Sequence, residues 1–493
     1  MLWWYCRSSS GGRGTPERQW VRLVAIVGAM YLTQAAIAQC PRAMPAAADP
    51  GPEAVVAPPP YNQLRYEEDY TYLQNPARRG DVFDTVKYVP FGGVEGRYLS
   101  LGGEARPFFE WFRNEDWGSV PGDDGYLLQR YMAHLDLHWN DRVRLFVQLK
   151  SGLEAGRRSG PRPVDEDKLD VGQAFLDVAL ISFNERKLVV RAGRQEMAFG
   201  RQRLVSYREG PNVRRSFDGI RATLRTPAWT VDAFATRPTQ TKPGFFDDVP
   251  DPDRSFWGAY ATRALGRSVS LDLYYLGLRN KSATYDQGAA KETRHTNGAR
   301  LWGDARGWDY DSELIYQWGS FGKGDIRAWA FASVFGYTFR DLPTRPRLAL
   351  SLDVHSGDRD PKDPDLETYQ PLFPKGAYYG LITPFGPSNH NEIHPVVETQ
   401  LSKSLSAQAD WMFFWRRSFR DGVYDVAGNL LRTGQRSDAA FVGHSPGIEL
   451  VWSFNRHLDL TGNYSRFFAG RFLKETPPGK NTTYVALWLT FKF

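Results

Sequence analysis

Arginine recurs on one parity of short alternating segments, at Arg106, Arg130, Arg142, Arg144, Arg191, Arg221, Arg225, Arg300, Arg327 and Arg347. Acids share that parity at Glu104, Asp136, Asp177, Asp232, Asp353 and Glu449. A guanidinium stays charged and grips carboxylates with a planar fork. A ladder of such groups broken by acids passes an anion without capturing it, provided the ladder lines water. The plainer reading is that arginines and acids balance one another in a polar cavity, and each residue taken singly supports it.

Other chemistry is thinly represented. Asp358, Asp360, Asp363 and Asp365 place alternate acids in one loop, a weak calcium candidate that lacks the glycine and terminal glutamate of an EF-hand. His134 and His138 share a strand parity, but four strand residues separate them by ~13 Å, too far for a joint metal site. No distinctive nucleophile motif stands out, and no phosphate-cradling glycine loop is present. No catalytic residue, resident metal or cofactor is expected.

The elements that must position the arginines are strands. Val143, Leu145, Val147 and Leu149 alternate with Arg142, Arg144, Phe146, Gln148 and Lys150, and Leu348, Leu350, Leu352 and Val354 alternate with Arg347, Ala349, Ser351, Asp353 and His355. Similar alternation marks 268–275 and 457–464. Successive strand side chains face opposite ways, so each segment has one apolar and one mixed face. About eighteen such segments occur, most near the ten-residue length of a tilted membrane strand.

The links between them alternate in length. Asn140-Asp141, Asn184 to Lys187, Pro227-Ala228, Gly266-Arg267, Asp304 to Gly307, Lys403-Ser404 and Asn455-Arg456 are tight. Between them lie longer polar stretches at 114–125, 151–170, 199–215, 239–254, 280–295, 357–391, 417–442 and 467–481, with a short link at 319–324 as the irregularity. Short turns at one end and long loops at the other are what a membrane β-barrel predicts. Open sheet edges cannot satisfy their hydrogen bonds in lipid, so the sheet must close. The expected fold is all-β, an antiparallel up-and-down transmembrane barrel of about 18 strands over residues 95–493. Its lumen is wide enough for an aqueous channel unless loops fold in.

Composition agrees. Mean hydropathy is −0.49, and no later run approaches the roughly twenty apolar residues of a membrane helix. Aromatics are 14%, with 16 Trp, 24 Tyr and 30 Phe, which suits girdles at both bilayer interfaces. Arg7, Arg13, Arg18 and Arg22 precede an apolar run that ends at Ala36-Ile-Ala38, so residues 1–38 read as a signal peptide. Gln39 before Cys40 argues against lipidation, and a single remaining cysteine excludes an internal disulfide. Residues 39–60 form a Pro/Ala-rich linker, and 61–94 a periplasmic lead-in. The formal charge of +6 falls to about +3 without the leader, which does not imply nucleic-acid binding.

The final stretch Thr482-Thr-Tyr-Val-Ala-Leu-Trp-Leu-Thr-Phe-Lys-Phe493 resembles the closing strand of a bacterial outer-membrane barrel, in which a C-terminal Phe is read by the barrel assembly machinery. Arg191-Ala-Gly-Arg-Gln-Glu-Met-Ala-Phe-Gly-Arg-Gln-Arg-Leu204 and Arg214-Arg-Ser-Phe-Asp-Gly-Ile-Arg221 resemble the signature region of the bacterial alginate export family. Arg65-Tyr-Glu-Glu-Asp69, Lys87-Tyr-Val-Pro90, Ser356-Gly-Asp358 and Pro371-Leu-Phe-Pro374 are similar to further segments of that family.

The resemblance implies an eighteen-stranded outer-membrane barrel with periplasmic termini, monomeric, passing an anionic polysaccharide such as alginate through an electropositive constriction. By position, Arg191 and Arg194 with Glu196 lie near that constriction and face Arg221. If the cargo is an exported polymer, an inner-membrane synthase and a periplasmic scaffold are expected to supply it. An uptake porin for small organic anions or sugars, and an outer-membrane hydrolase, stay open as alternatives.

Overall fold

The computed structural model describes residues 58–493, apart from Pro121 and Thr383. The leader, Cys40 and the linker up to residue 57 lie outside the described residues. The barrel strands are β1 (Tyr98–Arg113), β2 (Asp123–His138), β3 (Val143–Ala155), β4 (Asp167–Phe183), β5 (Arg186–Gln195) and β6 (Phe217–Arg225). Next come β7 (Trp229–Gln240), β8 (Arg254–Ala264), β9 (Ser270–Tyr285), β10 (Gly288–Ala305), β11 (Trp308–Phe321) and β12 (Gly324–Thr338). The last third is β13 (Arg347–His355), β14 (His390–Gln400), β15 (Leu405–Arg416), β16 (Phe441–Ser453), β17 (Leu458–Ala469) and β18 (Thr482–Lys492).

Each strand pairs antiparallel with the next, and β18 pairs with β1, so the 18 strands close. Closure runs from Arg113↔Thr483 to Glu104↔Lys492. It is completed by reciprocal backbone bonds, Gly103 N–H to Phe493 O at 3.0 Å and Phe493 N–H to Gly103 O at 3.1 Å. The ladder skips Arg106 and Pro107, because proline has no N–H to give.

Alternation explains the register. Leu314 on β11 is 60% exposed between the buried Glu313 and Ile315, so its side chain meets lipid where its neighbours meet the interior. Phe109, Leu145, Leu176, Ile220, Leu350 and Leu487 lie exposed in the same way. Trp139, Phe183, Trp308, Phe339, Trp452 and Phe454 are exposed beside the short turns, where an amphipathic ring suits the bilayer interface.

The turns carry their own signals. Asn184-Glu185 (φ 49° and 60°) and Arg306-Gly307 (φ 53° and 93°) have both central residues at positive φ, as tight hairpins require. Asn140 Oδ1 accepts from the N–H groups of Arg142 and Val143 at 2.9 and 2.8 Å.

Residues 280–295 depart from expectation. They do not form a long loop: β9 and β10 continue to a two-residue turn at Asp286-Gln287. Their polar composition reflects a hairpin that runs beyond the apolar belt, where the outer face meets water. On its inner face Ala283 and Tyr285 still pack with Phe321 and Ile326.

Replacing Leu314 with Arg puts a charge on the lipid face at mid-strand. The expected loss is ~2–4 kcal/mol in reversible urea unfolding from lipid vesicles, and a change below ~1 kcal/mol would mean that this face does not meet lipid.

Candidate functional site: a filled lumen with two basic cavities

Eighteen strands enclose more space than their own side chains fill; besides caps at the long-loop mouth around Trp117, Val423 and Phe472, three segments among the described residues enter it. The first is the lead-in. Tyr66 is 5% exposed; its ring meets Phe146 of β3 and Phe175 of β4 edge-on at 6.1 and 5.5 Å between centroids. The Arg191 guanidinium lies 4.1 Å from the Tyr66 ring and 3.6 Å from that of Phe175, close enough for cation–π attraction. Tyr66 Oη donates to Glu196 O at 3.0 Å.

Arginines hold the lead-in backbone in place. Arg144 donates to Tyr66 O at 2.7 Å and Arg214 to Gln63 O at 2.9 Å. Arg65 donates to Gly103 O at 3.0 Å and to Phe493 O at 2.7 Å, across the seam between β1 and β18.

The second segment, 196–216, links β5 to β6. Asn212 Nδ2 donates to the carbonyls of Gln129, Leu153 and Asp165. The third, 356–389, links β13 to β14. Val205 and Phe373 of these two segments form a parallel bridge, and Phe373 packs on Phe217 and Phe256 at 5.3 and 4.9 Å. Met197, Leu204, Tyr369 and Leu372 join a buried apolar cluster inside the barrel.

Most of the expected ladder is paired. Arg191 stands directly across from Arg221 in register, but binds Asp177 at 2.7 and 2.9 Å, while Arg221 binds Asp232 at 2.8 Å. Arg130 meets Glu104 and Glu209, and Arg106 donates to the carbonyls of Glu209, Gly210 and Pro211. Arg144 binds Asp136 at 2.7 Å. Arg300 binds Asp272 at 2.7 Å and Asp311 at 2.5 Å, and Arg347 binds Asp309 and Glu398. Glu196 meets Arg214 at 2.9 Å.

Three expectations need correction. The β5–β6 register is unbroken at Gly193, so Arg194 takes the parity opposite Arg191. It binds Asp218 at 2.9 Å, Asp170 at 3.3 Å and the Asp248 carbonyl, and does not stand beside Arg221. Arg327 is exposed between the buried Ile326 and Ala328, which places it on the outer face of β12. The acids Asp358, Asp360, Asp363 and Asp365 do not converge. Asp358, Asp360 and Asp363 accept backbone N–H groups two residues on, and Asp365 accepts that of Asp325. Asp167, Asp170 and Asp248 do come within 4.8 Å of one another, but Lys150 Nζ sits 2.8 Å from both Asp167 and Asp248 and takes the cation's place.

Two of the cavities left border these segments. One, of about 890 Å³, lies between the lead-in and β2–β6 at the short-turn end. Arg142, Lys187 and Arg225 line it beside Glu67, Asp69, Asp141 and Asp177, and among the described residues none of the three cations has a carboxylate within 4.0 Å. The other, of about 310 Å³, lies in the long-loop half and is lined by Arg162, Arg208 and Arg215 beside Glu110, Glu115 and Asp116. Arg162 binds Asp165 at 2.8 Å. Arg208 donates to the Val213 carbonyl at 3.3 Å, and Arg215 lies over the Phe373 ring at 5.0 Å. Sequence reasoning missed Arg208 and Arg215 because they sit in a link, where strand parity gives no signal.

At the short-turn end the lead-in also covers the last residue. Phe83 packs on Phe493 at 5.1 Å, and Asp81 binds His457 Nε2 at 2.5 Å. Burial alone would raise Asp81; the Phe83 N–H and His457 outweigh it and hold its carboxyl below the ordinary value. Lys87 is 1% exposed beneath Tyr61, Tyr70 and Phe493. Burial, with Arg65 and Arg456 nearby and only Glu68 and Asp81 opposing, pushes its ammonium down to about 7.

Above that pH the seated lysine is neutral while a released one keeps its proton, so the released lead-in binds more protons. Its seating therefore strengthens as pH rises from about 7 toward the ordinary lysine range, by at most about tenfold per unit, and Lys87 adds no slope below. Lys87→Met is expected to flatten this slope in hydrogen exchange of residues 61–87, corrected for intrinsic rates. An unchanged slope would remove Lys87 from the account.

The sequence of residues 97–486 matches the family model described as alginate export. No curated protein sequence matches the chain. Solved Pseudomonas aeruginosa structures share the fold. OpdK with vanillate has a TM-score of 0.57 at 11% identity, over 80% of this chain and 98% of its own. OccK2 (OpdF) in complex with glucuronate gives 0.54 at 11%, over 81% and 98%. OccD3 (OpdP) gives 0.55 at 13%, over 83% and 93%. The chain belongs to the alginate export family, and is an outer-membrane channel rather than an enzyme.

Proposed function

We propose that this channel passes carboxylated solutes, an acidic polysaccharide such as alginate or related uronates, between basic stations at the two cavities. The observation that carries the reading is a set of cations that have no carboxylate within 4.0 Å among the described residues: Arg142, Lys187 and Arg225 in one cavity, Arg208 and Arg215 in the other. A guanidinium already held by an aspartate has little left to offer a passing anion. The unpaired cations, rather than Arg191 or Arg221, are therefore the ones to meet cargo. The family name and the glucuronate in OccK2 support the substrate class.

In this reading the short turns and both termini face the periplasm, and the lead-in seals that mouth until it is displaced. Flow is passive, driven by the cargo gradient. For a polymer, an inner-membrane synthase and a periplasmic scaffold supply the chain, and the scaffold displaces the lead-in. Uptake of small organic anions uses the same stations in the reverse direction.

The test is the purified, refolded chain in a planar bilayer under a salt gradient, with and without residues 58–87. The shortened chain is expected to conduct more often, with a reversal potential that favours anions and block by mannuronate or guluronate oligomers. Replacing Arg142, Lys187 and Arg225 together with Gln is expected to move that potential toward cations and to weaken block about tenfold. An unmoved potential would defeat the assignment of these cations.

A further inference from the structure

Toward the long-loop end, the outer wall of β15, β16 and β17 carries a ledge unlike the rest of the lipid belt. The outward parity of β16 runs from the exposed Leu450 and Ile448 to His444, where rings gather. The centroids of Trp411 and Phe413 of β15 lie 5.7 and 5.8 Å from that of His444. Those of Phe468 of β17 and Phe441 lie 4.8 and 6.4 Å from it. Trp411 Nε1–H donates to His444 Nδ1 at 3.0 Å. An indole can only donate, so Nδ1 is the acceptor and Nε2 keeps the ring's proton as a further donor.

Beyond the rings the chain folds over the rim as a single helical turn, Arg471–Glu475. Phe472 and Leu473 are fully buried in the apolar cluster that caps the mouth, which leaves Arg471, Lys474 and Glu475 exposed. A cavity of about 570 Å³ lies between this turn and the rings. Phe441, His444 and Phe468 line it on one side, Arg471, Lys474 and Asn481 on the other. Glu475, the acid at its edge, is bound by Arg471 at 2.5 Å and accepts from Ser437 Oγ.

Lys474 has no carboxylate within 4.0 Å among the described residues, and neither has Arg466. Arg466 points outward between the buried Ser465 and Phe467, with its guanidinium 5.0 Å from the Phe468 ring. Asn481 Oδ1 accepts the Ala469 N–H at 2.9 Å, so its amide N–H groups are left to donate. Cations and donors on one side and aromatic rings on the other match the change from headgroup to chain at a bilayer interface.

We propose that this ledge seats a phosphate-bearing anionic lipid, its phosphate against Lys474 and Arg466 and one chain laid over Phe441 and Phe468. A phosphate draws charge-assisted hydrogen bonds from both cations. Inorganic phosphate would leave the rings uncovered, and a zwitterionic lipid would bring its own cation to a place with cations to spare. The site lies outside the lumen, so it rests neither on the cargo nor on which end faces the periplasm.

The test is native mass spectrometry of the refolded full chain in detergent, titrated with phosphatidylglycerol and with phosphatidylcholine of the same chains. One phosphatidylglycerol is expected to bind at a concentration about tenfold below that of phosphatidylcholine, and to stay bound in excess inorganic phosphate. The double change Arg466→Gln and Lys474→Gln is expected to remove the preference. Arg327→Gln, which removes another outward cation on β12, is expected to leave it intact. All variants must keep the heat-modifiable gel shift of a folded barrel. Equal binding of the two lipids by the parent would overturn the proposal, as would an undiminished preference in the double variant. Displacement by inorganic phosphate would make the ledge an ion site and overturn the lipid assignment.

Discussion

The ladder between β1 and β18 is the contact on which the rest depends. In lipid each backbone N–H and C=O needs a partner within the protein, so one unpaired strand edge would expose a row of them. Closure at Gly103 and Phe493 joins residues at opposite ends of the described chain. The lead-in then places Arg65 on that seam, binding one carbonyl from each closing strand. The segment can reach this seat only once the two strands have met, so the finished ring creates the surface that seals its own mouth.

Closure at this strand number has a second consequence. The interior is too wide to be filled from the wall, and it is occupied by a mixture that neither a soluble core nor an open pore would use. Phe217, Phe256 and Phe373 form an apolar centre, and around it almost every wall arginine is tied to an acid or a carbonyl. Partnered in this way, charges tolerate a low-dielectric interior, because the cost of removing water is offset at short range. The arginines that the sequence offers as cargo contacts are thus, for the most part, the structural means by which the lumen is filled with polar groups.

The strands were readable because lipid imposes a strict rule on one parity. Leu314, Leu350 and Leu487 had to be apolar, and their neighbours inherited the interior by default. That rule stops at the edges of the bilayer. Beyond it, Asn280 to His295 lost the alternation and read as a loop although the pairing continues. Arg327 sat in an alternating run, yet on the outer face, because water there accepts a charge as readily as the lumen does. Parity also gave no hint that 196–216 and 356–389 turn inward. Their anchors, Asn212 and Phe373, take their meaning from carbonyls and rings on distant strands.

Among the three segments in the lumen, the kind of contact decides which can yield. The 356–389 segment is fixed by buried aromatic packing and by parallel bridges at Leu366 and Phe373, and moving it would expose apolar surface to water. The 196–216 segment is tied through Asn212, Arg106 and Arg130 to three strands at once. The lead-in is held by hydrogen bonds from arginines to its backbone, by buried side chains at Leu64, Tyr66, Tyr70 and Leu73, by Phe83 against Phe493 and by a lysine seated at a desolvation cost. Polar contacts of this kind exchange readily for water, and Arg65, Arg144 and Arg214 would recover solvation on release. Opening a passage by displacing the lead-in therefore clears the cavity in which Arg142, Lys187 and Arg225 have no carboxylate within 4.0 Å among the described residues.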